Sequence, residues 1–147
     1  MEDCGATQVW PFKHDVPNVI VAVIDSGVDY THPDLKDNMW SRGGQYGYDF
    51  YDNDADPMDE ENHGTHCAGT IAGVGNNGIG VVGVTWKAQI MALRFLGPDG
   101  SGATSDAVKC IDWAVDNGAH IISNSWGGPD NSPALAQAVA RAESRGV

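Results

Sequence analysis

The chain has 147 residues, 41% of them hydrophobic, enough for one domain with a modest core. Its formal net charge of −12 argues against a phosphate-binding surface, and so against nucleic acid as a partner. No apolar run is long enough to cross a bilayer, and no membrane partner is expected.

In chain order, Met1-Glu2-Asp3-Cys4 shows neither a basic nor an apolar leader region. Three cysteines, Cys4, Cys67 and Cys110, allow at most one internal disulfide and demand none. Residues 19–24 are a continuous apolar, β-branched run, the pattern of a strand buried on both faces of a parallel sheet, and Asp25 follows it directly. Between Asp49 and Glu61 the acids Asp49, Asp52, Asp54, Asp56, Asp59, Glu60 and Glu61 crowd together, a block that repels itself unless solvated or met by a cation. Residues 62–73 read as a helix of small residues. Gly73-Val74-Gly75-Asn76-Asn77-Gly78 matches a dinucleotide fingerprint literally, but it closes a helix instead of opening one, so nucleotide is not expected. A strand over 89–95 precedes a helix over 103–117, with Thr104 or Ser105 as its N-cap and Gly118 as its stop. A strand over 119–124 and a helix over 133–145, with Pro133 in its first turn, complete the pattern. Strands alternating with helices predict a three-layer α/β fold on a parallel sheet, whose strand ends collect sites.

Taken singly, Asp25 before Ser26-Gly27 reads as an acid capping a turn, and His63 as a helix-capping histidine. Taken together they change meaning. Val21-Ala22-Val23-Ile24-Asp25-Ser26-Gly27 and His63-Gly64-Thr65-His66-Cys67-Ala68-Gly69-Thr70, with His32-Pro33-Asp34-Leu35 between them, resemble the Asp and His motifs of the subtilisin-like serine peptidases, the subtilases. The resemblance runs from about Gly5 to Val147, and Cys67 is similar to the free cysteine of the thermitase and proteinase K branches. It implies a serine-type endopeptidase acting on extended polypeptides. Asp25 would orient His63, and His63 would take the proton of a serine hydroxyl. It also implies secretion.

By the same resemblance, Gly100, Ser101 and Gly102, with Ser125, Trp126 and Gly127, form two edges to which a peptide substrate adds as a strand. Trp126 stands where leucine is more usual and would line the pocket for the residue before the scissile bond. Calcium is the implied cofactor. One site resembles the thermitase-type loop, with carboxylates from Asp49, Asp52 and Asp54 and carbonyls from Asp56 and Met58. It is not an EF-hand, because Pro57 stands where glycine is required. A second site joins Asp34 and the Asn77 side chain to the carbonyls of Val74, Ile79 and Val81.

No Gly-Thr-Ser-x-Ala segment and no Ala-Gly-Asn segment occurs in the 147 residues. The reading is therefore a partial peptidase domain over 1–147, a subtilisin-like fold lacking the C-terminal part of its sheet and inactive alone. The strand over 119–124 would become an edge, which predicts self-association or a complementary C-terminal fragment as partner. The alternatives are a non-catalytic pseudoprotease or calcium-binding structural fragment, a nucleophile at Ser105 or Cys67, and a metal enzyme built on His63, His66 and Cys67.

Overall fold

A computed structural model describes residues 4–128 and 131–147. The opening Met1–Asp3, read above for a leader, lies outside the described residues. Four strands form one sheet in the order β2-β3-β1-β4, every pair parallel. They are β1 (Asp15–Asp25), β2 (Gly47–Asp49), β3 (Lys87–Arg94) and β4 (Ile121–Asn124). The helices are a short α1 (Ala6–Val9), α2 (His63–Ala72), α3 (Thr104–Asp116) and α4 (Pro133–Ser144).

The apolar run of β1 sits inside the sheet, so both of its faces are covered. Alternate side chains serve two separate cores. Ala22 and Ile24 join Met91 and Leu93 of β3 against Ala107, Cys110, Ile111 and Ala114 of α3, with Ala138 and Ala142 of α4 behind. Val21 and Val23 join Ile90 and Ala92 against Ala68 and Ala72 of α2, with Val28 and Leu35. Helices on both faces make the three layers that the alternating pattern predicts. The small residues of α2 let it lie close to the sheet. Asn38 pins its far end, Nδ2 donating to the carbonyls of Ala72 at 2.8 Å and Trp86 at 3.0 Å.

Several boundaries differ from expectation. β1 begins at Asp15, earlier than its apolar run. β2 is three residues long, and its Gly47 lies so close to β3 that a Cβ there would stand 1.6 Å from the Ala92 carbonyl oxygen. The N-cap of α3 is Ala103, not Thr104 or Ser105, and no side chain caps it. Ser132 does cap α4, its Oγ accepting from Leu135 N, with Pro133 at the first position. Gly118 ends α3 with a φ of 83°, a left-handed turn that glycine takes without steric cost. No disulfide forms among the described residues: Cys4 is exposed, Cys67 half-buried and Cys110 buried.

Candidate active site

β1 delivers Asp25 at the carboxyl end of a central strand, where an open parallel sheet gathers its sites. α2 delivers His63 as its first residue. They meet: His63 Nδ1 lies 2.7 Å from Asp25 Oδ1. The Asp25 side chain is 1% exposed and the imidazole 46%, so the acid is sealed beneath a base that faces solvent. Ser26 N also donates to Asp25 Oδ1, at 2.7 Å. Asp25 Oδ2 is buried without a hydrogen-bond partner among the described residues.

The close approach depends on glycine. A Cβ on Gly64 would stand 2.1 Å from the Gly27 carbonyl oxygen, so no larger residue lets α2 reach the strand end. The hydrogen bond and charge of Asp25 raise the His63 pKa above 6.5, burial opposing them and Glu61 and Asp59 adding to them.

Cys67 lies one helical turn on, its Sγ 4.0 Å from both ring nitrogens of His63. Burial pushes its thiol up, a hydrogen bond from Ser125 opposes this, and the charges of Asp25 and Asp59 push it further. A thiol held protonated is a poor nucleophile. Asp25, His63 and Cys67 cluster, but His66 does not join them. It lines a different cleft, with His32 and Thr70. The trio His63, His66 and Cys67 is therefore not a metal centre here. Ser105 sits exposed in the first turn of α3.

Gly100, Ser101 and Gly102 face Trp126 and Gly127 across a cleft of about 870 Å³. Trp126 is fixed in it, its indole Nε1 donating to the Ile24 carbonyl at 2.8 Å and its ring edge-on to Phe95 at 4.8 Å. Ser125 does not line this cleft; it meets the thiol of Cys67. A model of the subtilase family, the serine peptidases designated S8, matches residues 17–147.

The chain belongs to the subtilase family.

Among its subtilase relatives, the thermophilic serine proteinase of Bacillus sp. (strain AK1) is 46% identical over 126 residues, covering 86% of this chain and 30% of that protein. Thermitase of Thermoactinomyces vulgaris is 42% identical over 141 residues, covering 96% of this chain and 48% of thermitase. The minor extracellular protease Vpr of Bacillus subtilis is 41% identical over 146 residues, covering 92% of this chain and 17% of Vpr. The chain thus spans less than half the length of each of these subtilases.

The residues named from the resemblance as calcium ligands fall in two places. Around Asp34, which is 2% exposed, Asn77 Nδ2 donates to Oδ1 at 2.7 Å and Val81 N to Oδ2 at 2.9 Å. Ile79 N donates to Asn77 Oδ1, and Val74 N to the Asp34 carbonyl. Gly80 packs against this carboxylate, where a Cβ would stand 2.3 Å from Asp34 Oδ2. In the acidic loop, Asp49 Oδ1 accepts from Tyr51 N and Asp52 N, and Asp49 Oδ2 from Arg94 Nη1 at 2.8 Å. Arg94 also holds Asp52 at 3.0 Å and Glu60 at 2.7 Å. Asp54 Oδ1 accepts from Asp56 N, Asp56 Oδ1 from the Tyr30 hydroxyl, and the Met58 carbonyl faces Gly27.

Arg94 was not foreseen, because nothing in a lone arginine at a strand end tells which acids it will meet. Nor were Ser26, Asp59 and Thr65, which surround the pair. Their one signal is adjacency to the two motifs.

Proposed function

We propose that Asp25 and His63 are the acid–base half of a serine endopeptidase site that hydrolyses extended polypeptides through an acyl-enzyme. The observation that carries this is the 2.7 Å contact between a buried carboxylate and an imidazole open to solvent. Asp25 selects the tautomer with its proton on Nδ1. Nε2 is then left as the acceptor for a hydroxyl proton, and Asp25 steadies the imidazolium that results. The cleft at Gly100–Gly102 and Trp126–Gly127 offers backbone to an extended peptide, and its glycines let that peptide come close.

The nucleophilic serine and the oxyanion asparagine are not among these 147 residues. In subtilisin, loss of the nucleophile costs about 10⁶ in turnover. The 147 residues alone therefore have no useful amidase activity, and a complementary segment supplies the serine. The test is turnover of a peptide anilide by the folded chain. Silence is expected. Turnover abolished by His63→Ala would place the nucleophile inside the chain and overturn this reading.

Calcium is the cofactor we propose, and the two loops differ in fit. At Asp34 a buried carboxylate lies beside an amide side chain, both hard donors, and an ion would take the place of the Asn77 Nδ2 and Val81 N groups from which the carboxylate accepts here. Bound there, calcium would tie the loop after α2 to the segment after β1. In the acidic loop Asp49 and Asp52 already bear Arg94, which leaves the Asp54 carboxylate, with the carbonyls of Asp56 and Met58, for an ion. Secretion is proposed for the whole protein, supported by a relative named as an extracellular protease. No described helix is long and apolar enough to cross a membrane.

A further inference from the structure

A helix leaves its first four backbone N–H groups without partners of its own. At the start of α2 all four are met from outside the helix. Asn62 N donates to Asp59 Oδ1 at 2.9 Å, His63 N to Glu61 Oε2 at 2.9 Å, Gly64 N to Ser26 Oγ at 2.9 Å, and Thr65 N to Asp59 Oδ2 at 2.9 Å. Two of those partners are joined to each other, because Ser26 Oγ donates to Asp59 Oδ1 at 2.9 Å. Asp59 Oδ1 further accepts from the backbone N–H groups of Glu61 and Asn62, and Asp59 Oδ2 from the Thr65 hydroxyl. That hydroxyl in turn accepts from Asp29 N at 2.9 Å. Asp59 is therefore a hub. One oxygen reaches the residue that follows Asp25, and the other reaches the residue two after His63.

Nothing covalent sets the distance between a strand end and a helix start 38 positions apart in the chain. Ser26 and Thr65 cross that gap, and Asp59 holds both. Resting on the reading of His63 as the base, we infer that Asp59 is the positioning residue for the Asp25–His63 pair, acting through the hydroxyls of Ser26 and Thr65. An amide cannot replace it. Donors approach both oxygens of Asp59, so Asp59→Asn would turn an NH₂ group toward one set of them.

The test follows the Nδ1 proton and the titration of His63 by NMR in the 147-residue chain, with His63→Gln assigning the signal. The charged and titratable groups facing His63 are Asp25, Asp59, Glu61 and Cys67. The charge of Asp59 acts on His63 directly, so the deciding variants are charge-neutral. Ser26→Ala and Thr65→Val are expected to lose or broaden the Nδ1 proton and move the midpoint down toward 6.5. Ser26→Thr and Thr65→Ser, which keep the hydroxyl, are expected to restore both. Ile111→Val, a core truncation remote from this corner, is expected to lower the melting temperature and leave both signals in place. If Ser26→Ala and Thr65→Val keep the proton and the midpoint of the parent, the inference is overturned. A parent whose His63 midpoint ignores Asp25→Asn would overturn the reading of the pair itself, a separate failure.

Discussion

His63 carries its consequence in its proton. Asp25 makes the folded imidazole hold a proton more tightly than the unfolded chain does. The stabilisation is therefore complete below about pH 6.5, the ordinary value, and drains away as pH rises through the higher folded value. Half of the ring faces water, so the effect is a screened one. Urea unfolding between pH 6 and 9 is expected to show the parent losing stability relative to His63→Gln as pH rises. A constant difference would show that the pair does not couple to protons. The same shift delays the neutral, base-competent imidazole to higher pH, and so moves the acid limb of any activity upward. Arg94 acts in the opposite way, as a fixed charge. Burial alone would lower its pKa, but Asp49, Glu60 and Asp52 hold it up, so it stays charged throughout. Its side chain is 4% exposed and that of Asp49 1%. Arg94→Met strands a buried carboxylate and is expected to cost about 3–5 kcal/mol in chemical denaturation. Adding Asp49→Asn should recover part of that loss.

At the scale of elements, the sequence reveals what is long and periodic. The apolar run of β1 shows its double burial, Gly118 marks where α3 stops and Pro133 where α4 starts. β2 and α1 escape because three and four residues carry no period. Asp25 and His63 are legible because each stands at a predicted element end inside a long motif. Their distance, and the hub that sets it, are not, because hydroxyl and carboxylate partners depend on how loops close. The acidic block shows the same divide. Its need of solvent or a cation is plain from spacing, yet Arg94 as that cation is a tertiary fact. The loop after α2 yields a further expectation. If the Asp34 cradle takes calcium, adding the ion should raise the melting temperature and chelator should lower it. Asp34→Asn should remove most of the response, and Asp54→Asn should leave most of it. A melt indifferent to calcium would remove the ion from the Asp34 cradle.

At the scale of the molecule, β2 and β4 are the two edges of the sheet. Among the described residues β4 pairs only with β1, and Ile121 on it is 51% exposed. A short, uncharged edge of this kind invites another strand. Sedimentation velocity is expected to show association that grows with concentration and is abolished by Ile121→Lys. A monomer at every concentration would show the edge to be inert. The corner that holds the pair has a different character, since the side-chain hydrogen bonds of Asp25, Ser26, Asp59 and Thr65 all join residues between Asp25 and Thr65. Acid, base and hub therefore all precede β3, α3 and β4 in the chain, and are synthesised before them. The β3 and β4 ladders on either side of β1 come later. Order of birth thus separates the part that handles protons, which comes first, from the cleft wall carrying Trp126, which comes last.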